Sequence, residues 1–374
     1  MARINKVLIV GGGVGGMSLA ISFARQNRAV ELIDLDPDWR AIGAGLSLNA
    51  ASLRAFERVG VLGAIRRHGD VHAGVKLHDI AGNPVAIPTA PASGGGLAGE
   101  SGGILRPVLH KLLADATRAA GIAVELGVTV SALTQTDDGV EITFSNGRSG
   151  RYDLVVGADG LRSIIRDLIF PDAAKPHFTG QGCWRAVFAR PADMHSSEMF
   201  IDPYHKAGLN PVSRDEMYLF FMETVPENTW MPQERWPEML KERLAPFGGR
   251  VAAVRETLSA NSQVNYRPLE MLLLPPPWHR GRVLLIGDAA HATTPHCAYG
   301  AGLAVEDAVI LAEVLQSDEP LETVFEKFME RRFARCRDIV EGSCRLGELE
   351  MSHASLAEHR RLSADMARII AAPI

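Results

Sequence analysis

Hydrophobic residues fall into short runs punctuated by glycine over the first 34 positions. Val7-Leu8-Ile9-Val10 reads as a strand, stopped by Gly11-Gly12-Gly13. Residues 17–25 then read as a helix, with Leu19, Ile21 and Phe23 apolar, and residues 30–33 as a second strand. Strand, glycine turn, helix and strand in so short a stretch specify a βαβ unit with a parallel strand pair. Residues 51–59 and 106–119 also read as helices. In the latter, Val108, Leu109, Leu112, Leu113 and Ala116 recur at helical spacing and mark one buried face. Residues 88–103, rich in Gly, Pro, Ala and Ser, read as a loop. Strands are expected at 123–126, 130–133, 140–144 and 154–156, with Ser145-Asn146-Gly147 as a turn.

The pattern changes over residues 175–274. That stretch holds Trp184, Trp230, Trp236, Tyr204, Tyr218 and Tyr266, with alternating runs such as Met217-Tyr218-Leu219-Phe220-Phe221. It reads as a mixed or antiparallel sheet. Leu274-Pro275-Pro276-Pro277 ends it as a stiff connector. Residues 283–286 form a last buried strand before a glycine loop and helix, and from Leu321 the chain reads as helix to its end.

With 374 residues, 47% of them hydrophobic, the chain is long enough for two domains or one interleaved unit. A net charge of -5 leaves no basic excess to neutralise phosphates, which argues against a nucleic-acid partner. The cysteines, Cys183, Cys297, Cys336 and Cys344, are too few and scattered for a disulfide framework and lack paired metal-ligand spacing. The N-terminal apolar run is too short for a signal segment, and no stretch approaches the roughly 20 apolar residues of a membrane span. A reduced, cytoplasmic protein is expected, with no membrane partner.

Three motifs carry chemistry. The first is Gly11-x-Gly13-x-x-Gly16, where Gly11 allows a tight turn, Gly13 a close pyrophosphate and Gly16 the packing of helix on strand. Phosphate then meets free N–H groups at the helix N-terminus, and Asp34, closing the second strand, is placed to accept ribose hydroxyls. Gly94-x-Gly96-x-x-Gly99 has the same spacing but no flanking strand or helix, and reads as a flexible loop. The second motif runs from Asp153 through Gly157-Ala158-Asp159-Gly160 to Ser163. By itself it is equally a strand-to-helix turn capped by Asp159 or Ser163. The third runs from Arg282 through Gly287-Asp288 and Pro295-His296 to Gly300-Ala301-Gly302 and Glu306-Asp307. Here Asp288 is placed to hold a ribityl hydroxyl, and the helix near 300–303 to stabilise negative charge on a reduced isoalloxazine. His291 and His296, five apart without a carboxylate at ligand spacing, do not make a metal site.

In this order the three motifs resemble those of the class A flavoprotein aromatic hydroxylases, the para-hydroxybenzoate and salicylate hydroxylase type, from Val7 to about Arg337. The resemblance implies an α/β fold: a Rossmann-like FAD-binding domain with an inserted mixed-sheet substrate domain and C-terminal helices. It divides the chain into an FAD-binding domain of 1–75, 100–174 and 275–318, a substrate domain of 76–99 and 175–274, and a helical segment of 319–374. That segment is expected either to cover the flavin domain or to form a homodimer contact.

The resemblance places FAD on Gly11, Gly13, Val14, Gly15, Gly16, Asp34 and Leu35, and on Arg40, Ala44, Gly45 and Arg106. It adds Val130 beside adenine, Asp159 with a link to NAD(P)H, Gly287 and Asp288 on the ribityl chain, and Pro295, Gly300, Ala301 and Gly302 beside the flavin ring. Tyr299 is bulkier than the family's usual residue there. His296 resembles the substrate-facing histidine of the hydroxynicotinate-type members, but Ser47 stands where those carry another histidine. Trp184-Arg185 resembles a stretch of the quinolone-type hydroxylases, and Tyr218 a substrate-facing tyrosine of related enzymes.

The implied activity is a monooxygenase. NAD(P)H transiently reduces FAD, and a C4a-hydroperoxyflavin formed with molecular oxygen hydroxylates a small aromatic or hydroxy-heteroaromatic substrate. His296 and Tyr218 are the expected catalytic bases, with Ser47, Tyr218, His296 and Arg185 lining the substrate site. An oxidase, dehydrogenase or epoxidase on the same fold is the alternative, and a flavin-binding sensor without turnover a third.

Overall fold

A computed structural model describes residues 4–41, 43–85, 99–228 and 231–374. Gly94, Gly96 and Trp230 therefore lie outside the described residues.

The first apolar run forms the strand Lys6–Val10, buried from Val7 onward. It lies at the centre of a sheet in which Val283–Leu285, Leu154–Gly157, Lys6–Val10, Ala29–Asp34 and Ala123–Leu126 run parallel in that order, and His279–Arg280 adds a short antiparallel edge. Parallel strands buried on both faces need apolar side chains at every position, which is why the central segments 7–10, 154–156 and 283–285 read as unbroken hydrophobic runs, while the outer strands carry Glu31 and Glu125. Two helices cover the sheet, Val14–Ala24 and Gly300–Val314, and both are buried on almost every side. The first begins at residue 14 rather than at 17 as expected, because the glycines at 15 and 16 belong to the helix.

Residues 177–271 supply a second, mixed sheet. Its order is Val264–Met271, His177–Ala189, Glu216–Thr224, Lys206–Pro211, Ser197–Ile201 and Val75–His78. Only the last pair is parallel. Side chains alternate across a strand. In Glu216–Thr224, Met217, Leu219 and Phe221 enter a hydrophobic core with Trp184, Trp236 and Leu240, while Tyr218, Phe220 and Met222 face the other way, into a cavity.

A small sheet, Gly45–Asn49 with Glu100–Leu105 and Asp70–Ala73, joins the two halves. The strand at 45–49 was not anticipated, and residues 100–103, expected in a loop, pair within this sheet instead. Gly102 and Gly103 belong to the strand because a side chain on Gly103 would fall 2.2 Å from the Pro211 carbonyl oxygen. Composition signalled a loop where the glycines serve close packing.

The C-terminal helices Leu321–Met351 and Leu356–Ala371 pack onto the flavin-side core through Phe325, Phe328, Ile339, Met366 and Ile370. They thus cover the first half of the molecule. No helix among the described residues is long and apolar enough to cross a membrane.

Candidate active site

Loops at the carboxyl ends of the parallel strands enclose a cleft of about 340 Å3, in the crevice where this architecture binds ligands. Gly13, Val14 and Gly15 line it, with Gly45, Arg106, Gly287, Asp288, Pro295, Gly300 and Ala301. The first-motif glycines divide their work. A Cβ on Gly11 would lie 2.3 Å from the Ala158 carbonyl oxygen, and one on Gly16 2.0 Å from the Gly11 oxygen. Gly11 also holds φ +107°, so a side chain there is strained twice over. On Gly13 a Cβ would meet nothing within 4 Å, because its backbone faces the open cleft.

The two cleft helices approach each other closely, with Gly15 and Gly287 both packed against Ala304. Neither carries a capping side chain or an acidic residue in its first turn. Both therefore offer free N–H groups and the positive end of their dipole to an anion in the cleft.

Asp34 accepts from the Gly12 amide at 2.6 Å and the Asp36 amide at 2.8 Å, fixing the turn between first strand and helix. Leu35 beside it is exposed. Ala44 is buried, and its carbonyl accepts from the Arg106 amide at 2.8 Å. The Arg106 and Asp288 side chains reach into the cleft and make no hydrogen bond or ion pair among the described residues. Both are exposed within the open cleft; its walls shift them by partial desolvation, raising the Asp288 pKa and lowering that of Arg106, and each partly offsets the other's shift. This donor and acceptor set fits FAD: uncapped helix ends for the diphosphate, a free carboxylate for hydroxyls, a free guanidinium for carbonyl or phosphate oxygens.

Other expected residues sit elsewhere. Arg40 lies on the surface, paired with Asp36 at 3.2 Å and Asp38 at 3.3 Å. Val130 is in the core, and Gly302 is buried where a Cβ would strike the Tyr299 ring. Asp159 and Ser163 share the capping role: Asp159 accepts from Ser163 Oγ at 2.5 Å and from the amides of Ile164 at 2.7 Å and Ile165 at 3.1 Å, and Ser163 Oγ accepts from the Arg166 amide at 2.9 Å. Only its backbone neighbours, Ala158 and Gly160, line the cleft.

Behind the cleft lies a charged network that the sequence did not disclose. Asp307 accepts from the Gly287 amide at 2.8 Å, from His291 Nε2 at 2.6 Å and from Arg332 at 2.7 Å, all fully buried. Glu306 pairs with Arg332, Arg335 and the Tyr299 hydroxyl. Burial pulls the His291 imidazole down, but Asp307 reverses this and holds it well above its usual range. Burial pushes Asp307 up, and His291 with Arg332 bring it to about 2. His291, Asp307 and Cys336 bring ligand-type atoms within 4.8 Å of one another. The Arg332 guanidinium, 3.4 Å from Cys336 Sγ, already supplies the positive charge there. Through Gly287, Asp307 fixes the turn that aims Asp288.

A second cavity of about 210 Å3 adjoins the first, sharing Ser47, Arg185, Tyr218, Pro295 and Ala298 as a common wall. Ser47 Oγ lies 2.6 Å from the Tyr218 hydroxyl, and Asn210 Nδ2 donates to Ser47. The Tyr218 ring lies flat over Gly45, where a Cβ would come within 2.1 Å. Arg185 makes no hydrogen bond or ion pair among the described residues, although it faces both cavities.

Of the two expected bases, Tyr218 is not poised as one. Burial pushes the Tyr218 phenol above its usual range, so at neutral pH it is a neutral hydrogen-bonding group. His296 forms part of the cavity wall, but its Nδ1 is 2.9 Å from Thr294 Oγ1 and its buried Nε2 lies 3.2 Å from Glu350, out of hydrogen-bonding alignment. Burial lowers its pKa, which Glu350 partly opposes. Glu350, from the C-terminal helix, also binds Lys206 of the cavity wall at 2.6 Å. It reaches them because Gly347, one turn earlier, leaves room for the His296 ring. Asn210, Lys206 and Glu350 were all missed, since nothing in a lone sequence position marks the far end of such contacts.

Comparisons with known proteins agree with this geometry. The family model described as "FAD binding domain" matches residues 5–341. The 2-heptyl-3-hydroxy-4(1H)-quinolone synthase of Pseudomonas aeruginosa is 31% identical over 348 residues, covering 92% of this chain and 89% of that protein. The 6-hydroxynicotinate 3-monooxygenase of Bordetella bronchiseptica is 29% identical over 328 residues, covering 83% and 82%. In fold, the chain is similar to Klebsiella pneumoniae HpxO, solved with FAD and uric acid, with a TM-score of 0.82 and 21% identity over 98% of this chain and 95% of that one.

Proposed function

This chain belongs to the FAD-binding class A flavoprotein monooxygenases, and from that premise we propose that it hydroxylates a small aromatic or hydroxy-heteroaromatic substrate, using O2 and NAD(P)H. The observation that carries this reading is the shared wall. A nucleotide cleft and a largely apolar cavity meet at Ser47, Arg185, Tyr218 and Pro295, so a ring in the second lies against whatever ring ends the first.

Bound FAD supplies the redox chemistry and the activation of oxygen. The chain's own residues do the rest. Arg106, Asp288 and the two helix N-termini hold the nucleotide. Phe220, Met222 and Met199 enclose the substrate ring and exclude water. The Tyr218, Ser47 and Asn210 group receives a ring hydroxyl, and Arg185, a cation with no hydrogen-bond or ion-pair partner among the described residues, stabilises that hydroxyl as its electron-rich anion. His296, held between Thr294 and Glu350, orders the wall beside Pro295.

The test is a panel of phenols and hydroxypyridines, scored for stimulated NAD(P)H oxidation and for products heavier by one oxygen atom. At least one member should give both. NAD(P)H consumption with hydrogen peroxide as its only oxygen product across the panel would support the oxidase alternative instead.

A further inference from the structure

At the far side of the substrate cavity, Ser197 lies at the end of a chain of hydrogen bonds unrelated to the flavin cleft. His72 Nδ1 is 2.6 Å from Asp70 Oδ1, and His72 Nε2 is 2.8 Å from Ser197 Oγ and 3.2 Å from the Ser197 backbone nitrogen. Asp70 is held in turn by Arg190. All three side chains are mostly buried, and Ser197 lines the cavity.

The backbone nitrogen settles every proton in this chain. An amide N–H can only donate, so Nε2 must be the bare, accepting nitrogen of a neutral ring. The ring proton is then on Nδ1 and points at the Asp70 carboxylate. With Nε2 bare, the short contact from Ser197 Oγ can only be the hydroxyl donating its single proton to it. Ser197 has no proton left to give, and its lone pairs are all it offers the cavity. The other carboxylate in this part of the wall, Glu198, is committed to Arg250 at 3.1 Å.

Resting on the hydroxylase reading above, we propose that Ser197 is a specificity-determining acceptor that selects ring substrates bearing an N–H or O–H donor at the end remote from Arg185. Through paired positions, Arg185 faces Phe220, Phe220 faces Gly208, and Gly208 faces Met199, two residues from Ser197. Arg185 is therefore three strand spacings from Met199, about 14 Å of backbone, and Ser197 lies two residues further along that strand. Arg185 can only donate to the cavity, and Ser197 can only accept from it. The substrate class that matches both is a hydroxy-heteroaromatic ring with a carbonyl or phenolate oxygen toward Arg185 and a ring N–H or second hydroxyl facing away.

The discriminating probes are 4-hydroxyquinoline, which carries a ring N–H as its quinolone tautomer, and N-methyl-4-quinolone, together with the panel hydroxypyridines and their N-methyl counterparts. Affinity for the FAD-loaded protein is read from perturbation of the flavin spectrum, without turnover. The wild type should prefer N–H over N–CH3 members by about tenfold or more, as a site built to pair a donor rejects its methylated analogue. Ser197→Ala should lose most of that preference. His72→Leu keeps the hydroxyl but releases its proton, so it should lose the preference too, which a purely steric role for Ser197 does not explain. Equal affinity for methylated and unmethylated probes in the wild type, or an unchanged preference in both variants, overturns the proposal while leaving the hydroxylase reading intact. If no member of either set perturbs the flavin, both readings fall.

Discussion

The nucleotide cleft and the substrate cavity share a wall but are built in opposite ways. The cleft is made largely of backbone: glycines, uncapped helix N-termini and strand ends, each contributed by a contiguous stretch of sequence. The cavity is made of side chains drawn one by one from seven strands of two sheets, a flavin-side loop and, through Glu350, the helix Leu321–Met351. A backbone site is defined by where side chains are absent, so it tolerates little change and leaves a readable motif. A side-chain site can change its chemistry at any position while the sheet beneath it stays the same.

The harshest way to test this contrast is Gly16→Val. Its Cβ would sit 2.0 Å from the Gly11 oxygen, a backbone atom with nowhere to go. The expected result is loss of several kcal/mol of stability and of bound FAD together, read from thermal melts and the visible spectrum.

Next is Asp307→Asn, which leaves His291 and Arg332 buried with half their partner. It should cost on the order of 3 kcal/mol. Its pH dependence is specific. Asp307 is lowered from an ordinary 3.8 to about 2, so its contribution is present above 3.8 and lost as pH falls toward 2. His291 is raised from an ordinary 6.5, so its contribution is complete below 6.5 and lost as pH rises through its folded value. The difference in melting temperature between wild type and variant should therefore peak between about pH 4 and 6.5. A difference that is flat with pH would show that the pair does not titrate in this way.

Asp288→Ala sharpens the contrast from the other side. The carboxylate has no hydrogen-bond or ion-pair partner among the described residues, so its loss should barely move the melting temperature of the FAD-free protein. FAD affinity should fall roughly ten- to a hundredfold, the worth of one or two charge-assisted hydrogen bonds. Asp159→Ala should do the reverse and do less: about 1 kcal/mol of stability from a lost helix cap, with FAD affinity nearly unchanged. Equal effects of the two aspartates on FAD would contradict the separation drawn between them.

The same contrast explains what the sequence disclosed. Glycine spacing, apolar runs and the Asp at each strand end located the βαβ unit, the parallel sheet and most of the cleft, because each is a local pattern. The cavity resisted for a physical reason. Met217 to Met222 is hydrophobic on both faces, one facing the core and one the ligand, so parity along the strand carried no signal. Arg185 and Tyr218 were located by resemblance, whereas Asn210, Lys206 and Ser197 became visible only with strand register. Gly347 looked like an ordinary helix glycine, although it makes room for His296. Arg40 and Val130, placed by resemblance, lie on the surface and in the core, outside the cleft lining.

Arg185→Ala is the most direct measurement. FAD-loaded wild type and variant would be titrated with the aromatic panel while the flavin spectrum is followed. The expected result is full FAD retention by both proteins, with aromatic ligands perturbing the wild-type flavin and binding at least tenfold more weakly to the variant. Loss of FAD from the variant, or ligand affinity equal to the wild type, would contradict a nucleotide cleft and a substrate cavity that are separately built and joined at this arginine.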